Sequence, residues 1–364
     1  MNHNDVKVNL KLSMESGTAG FGYPLIFTGK LTKGYGYAEC TSLDEVARVI
    51  GGVTSTDDEK AIATKTTTAR STSAYKAAQL IWTQNNPPRT IAVYGAVESC
   101  VNALPTILDK GWRHLIVASI GTADEDSIQE IAAYIETTNK AYYYSTTDYA
   151  TDGFTTGGYK RSIGLFYADD FTTPSAPTSS VECAEAALVG AVAGKPAGSV
   201  NYKNLILKGL TPLDIDTATL TAVHNANLIT VLKKSGDIVT SNGKTTNGYY
   251  CDLLDAEDWI ILELVYRTQK FMNGADKVAY DNTGIAALEN ICVGVIKEAC
   301  EMGIVARRAD ENGNVAGYDY EVNYQPRENT TAAERSARTY TRGAFRVVAA
   351  GAIDTCEING VLEI

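Results

Sequence analysis

Residues 90–120 read TIAVYGAVESCVNALPTILDKGWRHLIVASI, and this stretch decides the fold. Thr90 to Tyr94 reads as a strand, Ser99 to Lys110 as a helix stopped by Gly111, and His114 to Ile120 as a second, apolar and β-branched strand. Strand, helix and strand in that order make a βαβ crossover, which returns the chain to run parallel to itself. Parallel strands are covered on both faces, so they are written as unbroken apolar runs.

Outward from this unit the alternation continues. Ser73 to Gln84 is helical and ends at Asn86-Pro87-Pro88; Ser42 caps a helix to Ile50, with Glu45 at its third position and Gly51 to stop it. Downstream come a helix over Asp124 to Asn139, strands over Ala141 to Ser145 and Ser162 to Tyr167, and a helix over Val181 to Gly194. A strand at Asn204 to Leu207, a helix at Asp214 to Asn225 and a strand at Leu228 to Leu232 follow. The expectation is an α/β domain with a largely parallel sheet. The Gly/Tyr-rich run from Gly17 to Tyr37 reads as an extended linker entering short strands such as Pro24 to Thr28.

Beyond Ser235 the style changes. Ser241-Asn242-Gly243-Lys244 signals a hairpin turn. Asp255 is expected to cap a helix running to Gly274, and Ile285, Leu288, Ile291, Val295 and Ala299 form the buried stripe of a second helix closed by Gly303. Asp310 to Gly313 is a turn, Thr331 to Glu334 a capping box opening a third helix that ends at Gly343, and Phe345 begins a strand.

With 364 residues, two domains are the default. A net charge of −11 speaks against nucleic acid or an anionic membrane as partner, since both require a basic footprint. No signal peptide and no apolar run of about 20 residues is visible. Seven scattered cysteines without a C-x-x-C, beside three histidines, suit buried thiols in a reducing compartment and no metal site.

No cofactor or catalytic motif emerges. Tyr94-Gly95-Ala96-Val97-Glu98 lacks the glycines of a dinucleotide loop, and no P-loop occurs. Val117-Ala118-Ser119-Ile120-Gly121 has Ala where a nucleophile elbow carries its first Gly. His114 and His224 have no local nucleophile or orienting carboxylate and read as structural or surface histidines.

Two features point to interaction instead. Val6, Val8, Leu10 and Leu12 alternate with Lys7, Asn9 and Lys11 at one end; Cys356, Ile358, Leu362 and Ile364 share an apolar parity at the other, against Thr355, Glu357, Asn359 and Glu363. Such strands either complete the domain's own sheet or pair with another chain. Arg335, Arg338 and Arg342, spaced i, i+3, i+7 with Arg327 and Arg346 nearby, form one face of the expected third helix, as a solvated face or as a dock for an acidic surface.

Four segments carry a family resemblance: Gly248 to Trp259 (GYYCDLLDAEDW), Tyr280 to Leu288 (YDNTGIAAL), Arg335 to Tyr340 (RSARTY) and Ala349 to Val361 (AAGAIDTCEINGV). In this order, with Ser73 to Gln84 and Pro88 before an apolar strand, they resemble the sheath protein of contractile phage tails and phage-tail-like bacteriocins. The resemblance implies an outer α/β domain of subtilisin-like topology without its catalytic residues (23–240), and an inner, tube-proximal α+β domain (241–350). It further implies β arms at 1–22 and 351–364. Subunits would stack as sixfold rings around the tail tube, meeting baseplate and terminator proteins, with no cofactor, nucleic acid or membrane. Val6, Val8, Leu10, Leu12, Cys356, Ile358, Leu362 and Ile364 would exchange strands between subunits, and Arg335, Arg338 and Arg342 would face the tube. Assembly would occur in the bacterial host cytoplasm, the mature place being a virion tail or a released particle. The chain is short for such a sheath, which implies no large outer insertions. The competing reading is a cytosolic Rossmann-like enzyme or ligand-binding protein.

Overall fold

In the computed structural model of the protein, residues 21–120, 125–149, 158–170 and 177–356 are described. The chain divides into two compact units on either side of the Val278–Ala279 bond. The first holds a six-stranded sheet of β1 (Tyr23–Thr28), β2 (Gly36–Cys40), β3 (Ile91–Gly95), β4 (Trp112–Val117), β5 (Ala141–Thr146) and β6 (Ser162–Phe166), in the order β2-β3-β1-β4-β5-β6. Every neighbouring pair is parallel except β2 against β3 at the edge. Every residue of β4 is buried, as a strand covered on both faces requires. The mixed α/β architecture with a parallel-dominated sheet is therefore the one the alternation called for.

The helices of this unit are α1 (Leu43–Ile50), α2 (Glu59–Arg70), α3 (Ser73–Trp82), α4 (Cys100–Ala103), α5 (Ile128–Glu136), α6 (Glu185–Val192), α7 (Thr217–Asn225) and α8 (Cys251–Gly274), with β7 (Val231–Lys234) and β8 (Asp237–Thr240) between the last two. Ser42 caps α1 as expected, its side chain accepting from the Glu45 N–H. The α6 helix is buried along its whole length and lies so close to α3 that a Cβ on Gly190 would stand 2.7 Å from Ile81 Cα.

Several expectations shift. In the glycine-rich run the strand expected at Pro24 to Thr28 forms as β1, but it lies at the centre of the sheet, between β3 and β4. The expected helix at Ser99 to Lys110 is one α-helical turn and a 3₁₀ turn over Leu104–Thr106, because Pro105 has no N–H to continue the ladder. The hairpin turns at Ser235-Gly236, both with positive φ (50° and 101°), and not at 241–244; Ser241 and Asn242 are buried. The expected strand at Asn204 to Leu207 reduces to a bridge from Ile206 to Val239; of that expected at Leu228 to Leu232, Val231 and Leu232 open β7 and Ile229 makes a single bridge to Leu165. Finally, α8 starts at Cys251 with Tyr250 as N-cap, so Asp255 lies inside the helix and caps nothing.

The second unit holds α9 (Asn282–Glu301), β9 (Arg307–Ala309), β10 (Val315–Tyr318), β11 (Tyr320–Tyr324), α10 (Ala332–Ser336) and β12 (Gly343–Val347). Asp281 caps α9 through Gly284 N–H at 2.9 Å, and Ile285, Cys292, Val295, Ile296 and Ala299 are its buried face.

Candidate functional site

In a doubly wound sheet a ligand sits beyond the carboxyl ends of the strands, where the strand order reverses. Here that point lies between β1 and β4, and a crevice of ≈ 600 Å³ opens there, lined in part by Thr28, Lys30, Lys33, Thr72, Ser73, Ser119 and Glu182. The chain's own carboxylates take up two of its hydroxyls, those of Ser119 and Ser73. Glu125 accepts from Ser119 Oγ at 2.7 Å and from the Cys100 N–H at 2.8 Å; Glu182 accepts from Ser73 Oγ and from Lys76 Nζ at 3.0 Å. Ser119 Oγ in turn accepts from the Gly29 N–H at 2.9 Å. His114 is remote from this chemistry: buried, bonded through Nδ1 to Tyr143 Oη at 3.1 Å, and pushed down to about 3 by burial and by Arg113. His224 bonds Ser241 Oγ at 3.0 Å. Among the described residues no group of His, Cys, Asp and Glu side chains is arranged to hold a metal.

The strongest buried electrostatics are elsewhere in the first unit. Arg113, after the first residue of β4, faces Asp258 at 2.6 Å and Asp255 at 3.1 Å; Arg161 faces Asp258 at 2.7 Å; Tyr202 donates to Asp255 at 2.7 Å. The sequence reading missed this network because its members lie about a hundred residues apart and the two aspartates look like helix-capping charges.

The second unit supplies the exposed surface. The segment from Val315 to Tyr324 runs through β10 and β11, and the chain pairs with it twice, antiparallel: β9 along its first part and β12 along its second. Asp319 marks the junction, its N–H donating to Ala306 O at 2.8 Å and its C=O accepting from Val348 N at 3.0 Å. On one antiparallel strand the N–H and C=O of a residue point to the same side, and alternate residues point to opposite sides. Both partners therefore occupy the edge served by Asp319, Glu321, Asn323 and Gln325, the last donating to Arg342 O at 3.2 Å. The opposite edge, served by Tyr318, Tyr320, Val322 and Tyr324, pairs with no strand among the described residues.

The arginines do not share a helical face. The capping box forms, with Thr331 and Glu334 bonded both ways, but α10 ends at Ser336 and Arg338 has φ 55°. Glu334 also accepts from Thr341 Oγ1 at 2.9 Å and Arg342 Nε at 3.1 Å. In a continued helix Arg342 would lie ~12 Å further along the axis, so this bonding demands that the chain fold back. The Thr331 N–H first, then Arg342, hold the Glu334 carboxyl down to about 2. Arg335 is tied to Thr330 through its carbonyl and its Oγ1, the latter at 3.1 Å. Arg346 pairs with Asp319 at 3.0 Å, and Arg327 Nε donates to Tyr280 O at 3.1 Å. Arg338 is exposed at the crown of this loop.

Of the apolar arm residues, Cys356 is exposed and outside any strand. Val6, Val8, Leu10, Leu12, Ile358, Leu362 and Ile364 lie outside the described residues. The other six cysteines are buried and free, and no described helix is long and apolar enough to cross a membrane.

No family model matches the chain, and no curated protein matches it. Solved structures do. A chain of the anti-feeding prophage baseplate is similar with TM-score 0.67 and 11% identity, over 99% of this chain and 100% of that one. A chain of the contracted sheath complex of an extracellular contractile injection system is similar with TM-score 0.64 and 10% identity, over 100% and 98%. The sheath tail protein of Desulfitobacterium hafniense follows with TM-score 0.52 and 9% identity, over 87% and 93%. This chain thus has the fold of contractile-tail sheath proteins, as the four C-terminal segments implied.

Proposed function

We propose that this chain is the repeating subunit of a contractile sheath, stacked in sixfold rings around a tail tube. The observation that carries the reading is the end-to-end match of fold: both chains are covered almost completely, so what is shared is the whole subunit and not a common α/β core. In this reading residues 23–240 are the outer body, with subtilisin-like topology. Residues 241–350 are the tube-proximal part, and the two termini act as arms that add strands to neighbouring subunits. Main-chain hydrogen bonds would give such a joint its affinity and alternate side chains its register. Contraction would be a switch between two packings of rigid bodies, driving the tube through a target envelope. Arg335, Arg338 and Arg342 would face the tube, with Arg338 the most available of them. Baseplate and terminator proteins would close the two ends of the stack, and assembly would take place in the host cytoplasm.

Negative-stain microscopy of the purified protein, with and without residues 1–13, tests this. Striated tubes or rings from the full chain, and a folded but unpolymerised truncated protein, are expected. Discrete small particles from the full chain would favour a soluble α/β enzyme or binding protein, and intact tubes from the truncated chain would remove the arm's role.

A further inference from the structure

Three lysines gather around His224 in a chain that is acidic overall. The segment from Tyr202 to Leu205 is laced to the end of β8. The Asn204 N–H donates to Thr240 O at 3.0 Å, the Leu205 N–H donates to Thr240 Oγ1 at 2.9 Å, and Thr240 Oγ1 donates to Tyr202 O at 2.6 Å. The next residue, Ser241, bonds His224 Nε2 through its Oγ at 3.0 Å. A Cβ on Gly243 would stand 2.9 Å from Lys203 N, so Lys203 and Lys244 leave adjoining stretches of backbone. Lys234 Nζ donates to Asn204 Oδ1 at 3.0 Å, which brings its charge to the residue after Lys203. His224 and the three lysines are all half-buried.

Ser241 Oγ is buried and already accepts from the Thr230 N–H at 3.1 Å, so its own proton goes to Nε2 and the ring carries its hydrogen on Nδ1, as a donor. His224 lies in the last turn of α7, where the helix dipole favours a charged ring. Burial, and then Lys203, Lys234 and Lys244, nevertheless hold it below its ordinary 6.5. Asp237 stands across the β7–β8 ladder from Lys234 and is exposed. Lys203 and Lys244 have no carboxylate partner among the described residues, and Lys244 Nζ lies over the Tyr250 ring, 5.3 Å from its centroid.

We infer that the cluster of Lys203, His224, Lys234 and Lys244 binds a tetrahedral oxyanion, the phosphate or sulfate group of a small solute. Such a group is a dianion with acceptor oxygens on every side, and ammonium groups bind it as point charges. Seated here it offsets the mutual repulsion of the lysines and lets the ring take up a proton. All four side chains belong to the first unit, so the site does not depend on the sheath reading.

Equilibrium dialysis of the full chain against radiolabelled sulfate, at constant ionic strength set with chloride, tests the site whether the protein is polymerised or not. Sulfate keeps both its charges from about pH 6 to about pH 8, so a pH dependence over that range belongs to the protein. Saturable binding is expected, several-fold tighter at the lower pH, because sulfate binding and His224 protonation favour each other. Lys203→Gln and Lys244→Gln should each weaken it about tenfold, as the loss of a charge-assisted bond does. Lys60→Gln, on the exposed side of α2, should leave it unchanged. His224→Gln should still bind at about pH 8 but lose the pH dependence. Inorganic phosphate and phenyl phosphate should both displace the label; a preference for the ester identifies the phosphoryl group of a larger molecule, and equal displacement a free ion. The absence of saturable binding overturns the site. So does binding that the Lys203 and Lys244 variants leave intact, or a pH dependence that survives His224→Gln, either of which means an adventitious ion only.

Discussion

Arg113 and Asp258 lie 2.6 Å apart with only 4 % of either side chain exposed, joining the second residue of β4 to the second turn of α8. Asp258 also serves Arg161, and Asp255 completes the set. Two guanidinium groups and two carboxylates thus balance inside the first unit, and the pairing decides where α8 lies on the sheet.

Removing one partner of a buried pair leaves an uncompensated charge, which costs ~3–5 kcal/mol. Asp258→Asn leaves both arginines facing an amide, and urea unfolding should show a loss of that size. A loss below ~1 kcal/mol would mean that water reaches the site and the pair is not buried in solution.

The Glu185 carboxyl is fully buried at the start of α6, and burial raises it from 4.5 to about 7. The folded chain therefore holds its proton more tightly than the unfolded chain. Stability from this group is complete below about pH 4.5 and is lost as pH rises through about 7, in total on the order of 3 kcal/mol. His114 acts in the opposite sense, losing stability as pH falls below its ordinary value of 6.5 towards about 3. The difference between wild type and Glu185→Gln isolates the carboxyl: the variant's relative stability should rise between about pH 4.5 and about 7 and level off above, measured by thermal unfolding. A flat difference across that range would contradict the burial.

Gly190→Ala should destabilise, although Ala is the better helix former by roughly 1 kcal/mol. The added Cβ meets the backbone of Ile81 on α3, with Cα at 2.7 Å, and backbone does not yield as a flexible side chain does. A lower melting temperature is expected; a higher one would show that α3 and α6 separate at little cost.

Arg338→Glu should leave folding unchanged, since the side chain is exposed on a loop, and should uncouple sheath from tube if this arginine faces the tube. Normal tube-filled particles from the variant would end that assignment. Arg335→Glu is the weaker probe, because it also breaks the tie to Thr330.

Legibility followed sequence distance. The caps at Ser42 and Thr331 were readable, because a cap is settled within four residues. The strand expected at His114 to Ile120 overlaps β4 (Trp112–Val117) over His114 to Val117, because burial on both faces leaves an unbroken apolar signature. The strand at Pro24 to Thr28 was readable but its central place was not, since its partners lie about 70 and 90 residues further on.

By itself the sequence determined the α/β class, the terminal alternation and a C-terminal signature of sheath type, all of them properties of residues close together in the chain. Only the tertiary structure decided that Asp255 and Asp258 answer Arg113 and Arg161, that Glu334 folds the arginine segment back on itself, and that one edge of Val315–Tyr324 pairs with no strand among the described residues. Each of these depends on which distant groups share a low-dielectric interior or a hydrogen-bonding edge, and local propensity carries no record of that.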